Sequence, residues 1–326
     1  MPDRSPMIHD LTAKGPRLDP AAHCLTLDAG VQSFLDRVLE AELLPYAPGL
    51  DPAARRAIAT RLQADAPPVE EPIVHLTVPG AEAISLRLCR PMRGMARPVP
   101  VVFYLHGGLW ALGGWDTHGG AAAALARSCG AALVFVDHGG LPAAQALRQA
   151  RAALDWTRAQ GRDHGLDTAR MAVAGDGSGG AMAALLAATL PPSEGFRLLL
   201  LFHPLVGPAA PDTPSSPWLD HCDLPSLMAQ AFPGQPSWTG LSPLDLSSDR
   251  LRRLPSTLIL TAEADLAREG GEALARRLMR AEVDASALRL MGTIHDFFWL
   301  DGLADTTPTL SALAVAQRAL TDAFGR

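Results

Sequence analysis

Short apolar runs alternate with helical patterns through most of this chain. Ile84, Leu86 and Leu88 occupy every second position, the period of a strand buried on one face. Residues 99–105, 131–136, 171–174, 197–202 and 257–261 are near-continuous apolar runs, which predicts central strands buried on both faces. Between them, 117–128, 143–159, 178–190 and 268–281 read as helices. A last strand at 287–291 precedes a C-terminal helix near 309–323. This alternation predicts an α/β fold, a mostly parallel sheet with helices on both faces. In such sheets the chemistry collects beyond the carboxyl ends of the strands.

Two zones depart from the alternation. Residues 1–70 read as an N-terminal helical segment: Val31, Phe34, Leu35, Val38, Leu39 and Leu43 recur at helical spacing. Asp51-Pro52 supplies an N-cap followed by proline at the first position of a second helix. Residues 71–326 make up the core, interrupted around 207–243 by a stretch dense in Pro, Ser and Asp that carries Trp218, Phe232 and Trp238. Aromatics on so irregular a stretch predict an ordered cap or lid insertion.

Composition narrows the function classes. With 48% hydrophobic and 19% charged residues among 326, there is material for a large core, and disorder is excluded. A net charge of −6 with scattered basic residues leaves no electrostatic footprint for nucleic acid. No apolar run approaches the roughly 18 residues of a membrane-spanning helix, and no secretory h-region is visible near Met1. Cys24, Cys89, Cys129 and Cys222 are widely spaced without a CxxC pair, as expected of free thiols in a reducing compartment. These features predict a soluble cytoplasmic protein. They imply no metal and no organic cofactor, and they are compatible with a homo-oligomer.

Four strand ends carry candidate chemistry. After the strand ending at Leu105 comes His106-Gly107-Gly108-Leu109-Trp110, where glycines let the backbone approach a ligand and aim N–H groups at one spot. After 171–174 comes Gly175-Asp176-Gly177-Ser178-Gly179-Gly180, a strand-to-helix turn without the Gly-Lys-Ser/Thr or GxGxxG spacing of nucleotide sites. After 257–261 stands Asp265, and after 287–291 stands His295, within Ile294-His295-Asp296-Phe297-Phe298.

Together these segments resemble the hormone-sensitive-lipase-like family of α/β-hydrolases, from about Val74 to the C-terminus. The order of elbow, Asp and His is the one the hydrolase fold expects. The resemblance implies an α/β-hydrolase fold with a helical cap formed by the N-terminal segment. It places Asp265 as the acid, His295 as the base, and Gly107 and Gly108 in the oxyanion hole. The nucleophile position falls on Gly177, which has no side chain. Ser178 falls one place later, where the family has a small residue whose N–H completes the oxyanion hole. Leu109 stands where the family has a third glycine. The elbow residue takes a positive φ, a strain of about 1–3 kcal/mol that glycine relieves, and Ser178 at a helix start is expected to cap N–H groups. Leu109, Trp110, His203 and Phe297 are expected to line the substrate pocket, and Glu263 with Arg268 to form a supporting ion pair.

By resemblance, the expected function is hydrolysis of a small, fairly apolar ester or acyl/carbonyl substrate. The nucleophile is then either Ser178, as a relocated hydroxyl, or a water activated by His295. Two alternatives stay open: a dehydratase, lyase or cyclase using His295 as general base, and a pseudoenzyme that binds a small ligand, as plant gibberellin receptors do.

Overall fold

Asp28 Oδ1 accepts the Gly30 N–H at 2.8 Å and so starts α1 (Ala29–Glu40). Asp51 does the same for Ala54 N–H, and Pro52 opens α2 (Pro52–Arg61) as its position after an N-cap predicts. The computed structural model describes residues 25–78, 84–91, 98–211 and 213–325. Cys24 and the start of the 1–70 segment lie outside the described residues, as does most of the 91–98 connection.

The chain continues through β1 (Ile73–Val78), β2 (Ile84–Cys89), β3 (Val99–Leu105), α3 (Trp115–Ser128), β4 (Ala132–Asp137), α4 (Ala143–Gln160) and β5 (Leu166–Asp176). It then forms α5 (Gly177–Ala188), β6 (Leu199–Phe202), α6 (Leu224–Ala231), α7 (Ser248–Leu251), β7 (Thr257–Ala264), α8 (Arg268–Arg280), β8 (Ala285–Ile294) and α9 (Thr307–Ala323). One eight-stranded sheet results, in the order β1-β2-β4-β3-β5-β6-β7-β8. The pairs β1/β2 and β2/β4 are antiparallel, and every later pair is parallel. All seven residues of β3 are buried, so both faces of the sheet centre are covered, as the apolar runs require.

Two strands differ from the expectation, the edge strand β1 and the central strand β5. β1 carries no continuous apolar run, because an edge strand needs neither face fully buried, and its Ile73 and Val74 are exposed. β5 begins at Leu166, well before the apolar stretch, since its first residues pair only through Val99 opposite Leu166. The insertion around 207–243 holds α6, and its Trp218 is buried against Phe34 and Tyr46 of the N-terminal segment. Among the described residues no helix is long and apolar enough to cross a membrane.

Candidate active site

The carboxyl ends of β3, β5, β7 and β8 bring the four motifs together. Between β5 and α5 the chain turns through Gly177 at φ +47. A Cβ at Gly179 would fall 2.1 Å from the Leu105 carbonyl oxygen and 2.3 Å from that of His106, so only glycine lets α5 start this close to β3. All twelve residues of α5 are buried, which accounts for its unbroken apolar, alanine-rich sequence.

Asp265 follows β7 and accepts the Ala267 N–H at 2.8 Å, which holds its carboxylate in place. His295 follows β8, and its Nδ1 lies 2.9 Å from both Asp265 oxygens. The Nδ1–H donates to that carboxylate, so Nε2 is left facing the elbow. A Cβ built on Gly177 would lie 3.5 Å from Nε2, with Gly107 Cα next at 3.8 Å. Asp296 adds a second carboxylate, its Oδ1 3.5 Å from Nε2. Burial alone disfavours the imidazolium, but Asp265 and then Asp296 outweigh it and raise the His295 pKa to about 9.

Asp296 was legible in the sequence only as a neighbour of His295. Its Oδ2 accepts the Tyr46 hydroxyl at 2.6 Å and the Trp218 indole N–H at 3.0 Å. The N-terminal segment and the 207–243 stretch therefore both reach the loop after β8 through this one carboxylate. Neither partner is signalled by spacing, because both lie far away in the chain.

The glycine loop after β3 corrects one expectation. Gly107 N–H donates to Asp176 Oδ2 at 3.0 Å, so it is not free to receive an oxyanion. The N–H groups of Gly108 and Leu109 have no partner among the described residues. Leu109 sits at φ +54, a left-handed conformation that costs a non-glycine residue about 1–3 kcal/mol and that the loop retains here. The Ser178 N–H lies in the first turn of α5, where a helix offers no internal acceptor.

Ser178 itself departs from both roles expected of its side chain. Its Oγ is buried without a hydrogen-bond partner among the described residues, so it neither caps α5 nor bonds His295. The geometry a relocated nucleophile needs is absent. Ser178→Ala is expected to leave stability unchanged or raised by about 1 kcal/mol, since it removes an unsatisfied buried hydroxyl, and urea denaturation checks this. The ion pair expected between Glu263 and Arg268 is also absent. Arg268 donates to the Glu263 carbonyl oxygen and pairs with Glu269, while the Glu263 carboxylate accepts the Gly292 N–H.

Behind the elbow, Asp176 is a buried hub. It accepts the Tyr104 hydroxyl at 2.6 Å and the Gly107 N–H, and it faces His118 Nε2 at 3.3 Å. Burial opposes its ionisation, yet His118 and these donors hold its carboxyl well below the usual range. Asp176→Ala is therefore expected to cost about 3–5 kcal/mol by stranding its partners, read as a fall in the urea midpoint. Beside it, His106 stacks on His138 with centroids 3.8 Å apart. Burial keeps both neutral, reinforced at His106 by His138 and His118 and at His138 by His118; the His138 pKa is pushed down to about 4.

The residues expected to line a pocket divide. The ring of His203 lies 4.6 Å from that of His295 and 5.3 Å from that of Phe297, so both belong to the dyad's surroundings. Leu109 is buried in the loop, and Trp110 packs edge-on against Phe232 and Trp238 of the insertion. A cavity of about 550 Å³ lies elsewhere, between Gln63, Trp115, Thr117, Trp299 and Leu313. Neither Gly177 nor His295 borders it.

Comparison with known proteins agrees with this fold. The family model of the alpha/beta hydrolase fold matches residues 102–299. The chain belongs to the α/β-hydrolase family. Carboxylesterase NlhH of Mycobacterium tuberculosis is 33% identical over 237 residues, covering 68% of this chain and 74% of its own. Ethyl acetate hydrolase of Pseudomonas putida is 28% identical over 244 residues, 71% of this chain and 76% of its own. Among solved structures, a thermostable esterase from Pseudomonas putida superposes with a TM-score of 0.79 at 28% identity, covering 92% of this chain and 97% of that one. This α/β-hydrolase is thus esterase-like in family, and the non-hydrolytic and pure-binding alternatives draw no support from these relatives.

Proposed function

We propose that the protein hydrolyses small, fairly apolar esters without a serine nucleophile, using a water activated by His295. The observation that carries this reading is the Asp265–His295 dyad, whose Nε2 faces a Gly177 elbow that has no side chain. The space a hydroxymethyl group would fill there is of the order of one water molecule.

In the reaction, the water oxygen attacks the substrate carbonyl carbon while Nε2 takes its proton. Asp265 holds the ring tautomer and stabilises the imidazolium that forms. The N–H groups of Gly108, Leu109 and Ser178 receive the negative charge on the carbonyl oxygen. Collapse of the tetrahedral species breaks the bond to the alkoxy group, which leaves with the proton held on Nε2. Acid and alcohol are the products, and no acyl-enzyme forms.

The two carboxylates beside His295 set the pH dependence. Only the neutral ring accepts a proton, so kcat/KM is expected to rise about tenfold per pH unit up to about 9 and then level off. Asp296→Asn removes one of the charges that favour the imidazolium, so the rising limb should move toward neutral pH. Kinetics on p-nitrophenyl acetate in the presence of a chelator test this reading. A limb that stays in place in Asp296→Asn, or a rate independent of pH between 6 and about 9, would contradict it.

A further inference from the structure

The space around His295 holds more ligand atoms than proton transfer to and from Nε2 uses. His203 follows β6, and both of its ring nitrogens are buried without a hydrogen-bond partner among the described residues. Asp296 Oδ1 is equally without a hydrogen-bond partner, 3.5 Å from His295 Nε2 and 4.0 Å from His203 Nδ1. One nitrogen or oxygen from each of the three residues lies within 4.8 Å of the others. Buried polar atoms left unpaired carry a large desolvation cost, so a cluster of them calls for a partner. His203 at φ +34 and Asp296 at φ +66 both sit in the left-handed region. Such backbone strain concentrates where side chains are aimed for a function.

We propose that His203, His295 and Asp296 form a binding site for a divalent transition-metal ion of the Zn²⁺ class. Two imidazoles and one carboxylate are a donor set that suits Zn²⁺, with bonds of about 2.0–2.2 Å. Ligand atoms 3.5 and 4.0 Å apart are close to the separation that bonds of this length require, and the widest pair, within 4.8 Å, has to close by at most about 1.4 Å. The outer contacts are those a metal site uses to orient its ligands. Asp265 takes the Nδ1–H of His295, so Nε2 points inward and offers its lone pair once its proton is displaced. Tyr46 and Trp218 occupy Asp296 Oδ2 and leave Oδ1 inward. Gly177 presents no side chain to the His295 face of the site. The ligands come from the ends of two separate strands, so no sequence spacing signals them.

One consequence rests on the hydrolytic reading above. A metal on Nε2 occupies the lone pair that accepts the water proton, so Zn²⁺ inhibits ester hydrolysis and a chelator restores it. The site itself is tested without substrate, by calorimetric titration of the chelator-treated full chain with Zn²⁺ and by the visible spectrum of Co²⁺ in its place. Wild type is expected to bind one equivalent, with tetrahedral Co²⁺ bands. His203→Phe and His203→Asn, verified as folded by circular dichroism, should each weaken binding at least about tenfold and lose those bands. Absence of stoichiometric binding, or equal affinity in both His203 variants, would overturn the site. Hydrolysis that persists at full Zn²⁺ occupancy would overturn the inhibition. A chelator-treated protein that binds Zn²⁺ yet hydrolyses no ester would sink only the hydrolytic reading.

Discussion

Gly177→Ser is expected to raise kcat/KM for short acyl esters by on the order of 10³-fold at pH 9, with the protein still folded. The added Cβ meets nothing nearer than His295 Nε2 at 3.5 Å, an ordinary contact, and a rotamer aimed at that nitrogen is expected to bring the hydroxyl within hydrogen-bond reach. On the proposed reading, the Asp265–His295 pair and the N–H groups of Gly108, Leu109 and Ser178 would serve an acyl-enzyme. The cost is the strain of a non-glycine residue at φ +47, about 1–3 kcal/mol, which urea denaturation should register. Fluorophosphonate should label the variant and not wild type. A folded variant with no gain would mean that the Nε2–elbow geometry is not productive.

The second large effect belongs to the dyad. His295→Ala is expected to remove hydrolysis by about 10²–10⁴-fold, the span of a lost general base. Asp265→Asn should cost turnover in the same range, because its amide no longer stabilises the imidazolium that forms on the ring. Substrate affinity should change little in either variant, since both groups act on the water and the transition state. Kinetics in a chelator separate kcat from KM, and retained turnover in His295→Ala would remove the catalytic role.

Much of this was legible in the residues themselves. The central strands β3 to β7 announce themselves as apolar runs because both of their faces are buried, while β1, exposed along one edge, does not. The dyad positions could be located because each follows a strand directly within a short local motif. What the sequence did not reveal depends on contacts between distant segments. Gly107 loses its N–H to Asp176, which lies on another strand. Asp296 acquires its orientation from Tyr46 and Trp218, and His203 meets His295 only because β6 and β8 both flank β7. Ser178 illustrates a different limit: its place in the motif was plain, but whether its hydroxyl reaches His295 is a matter of the first turn of α5.

The central claim is hydrolysis by activated water with no covalent intermediate. Its most direct test is intact-mass analysis of chelator-treated wild type, acid-quenched during steady turnover of p-nitrophenyl acetate at pH 9. Turnover with the protein mass unchanged, and no pre-steady-state burst of p-nitrophenol, is the predicted result. An acetyl adduct formed during turnover and mapped to Ser178 would contradict it.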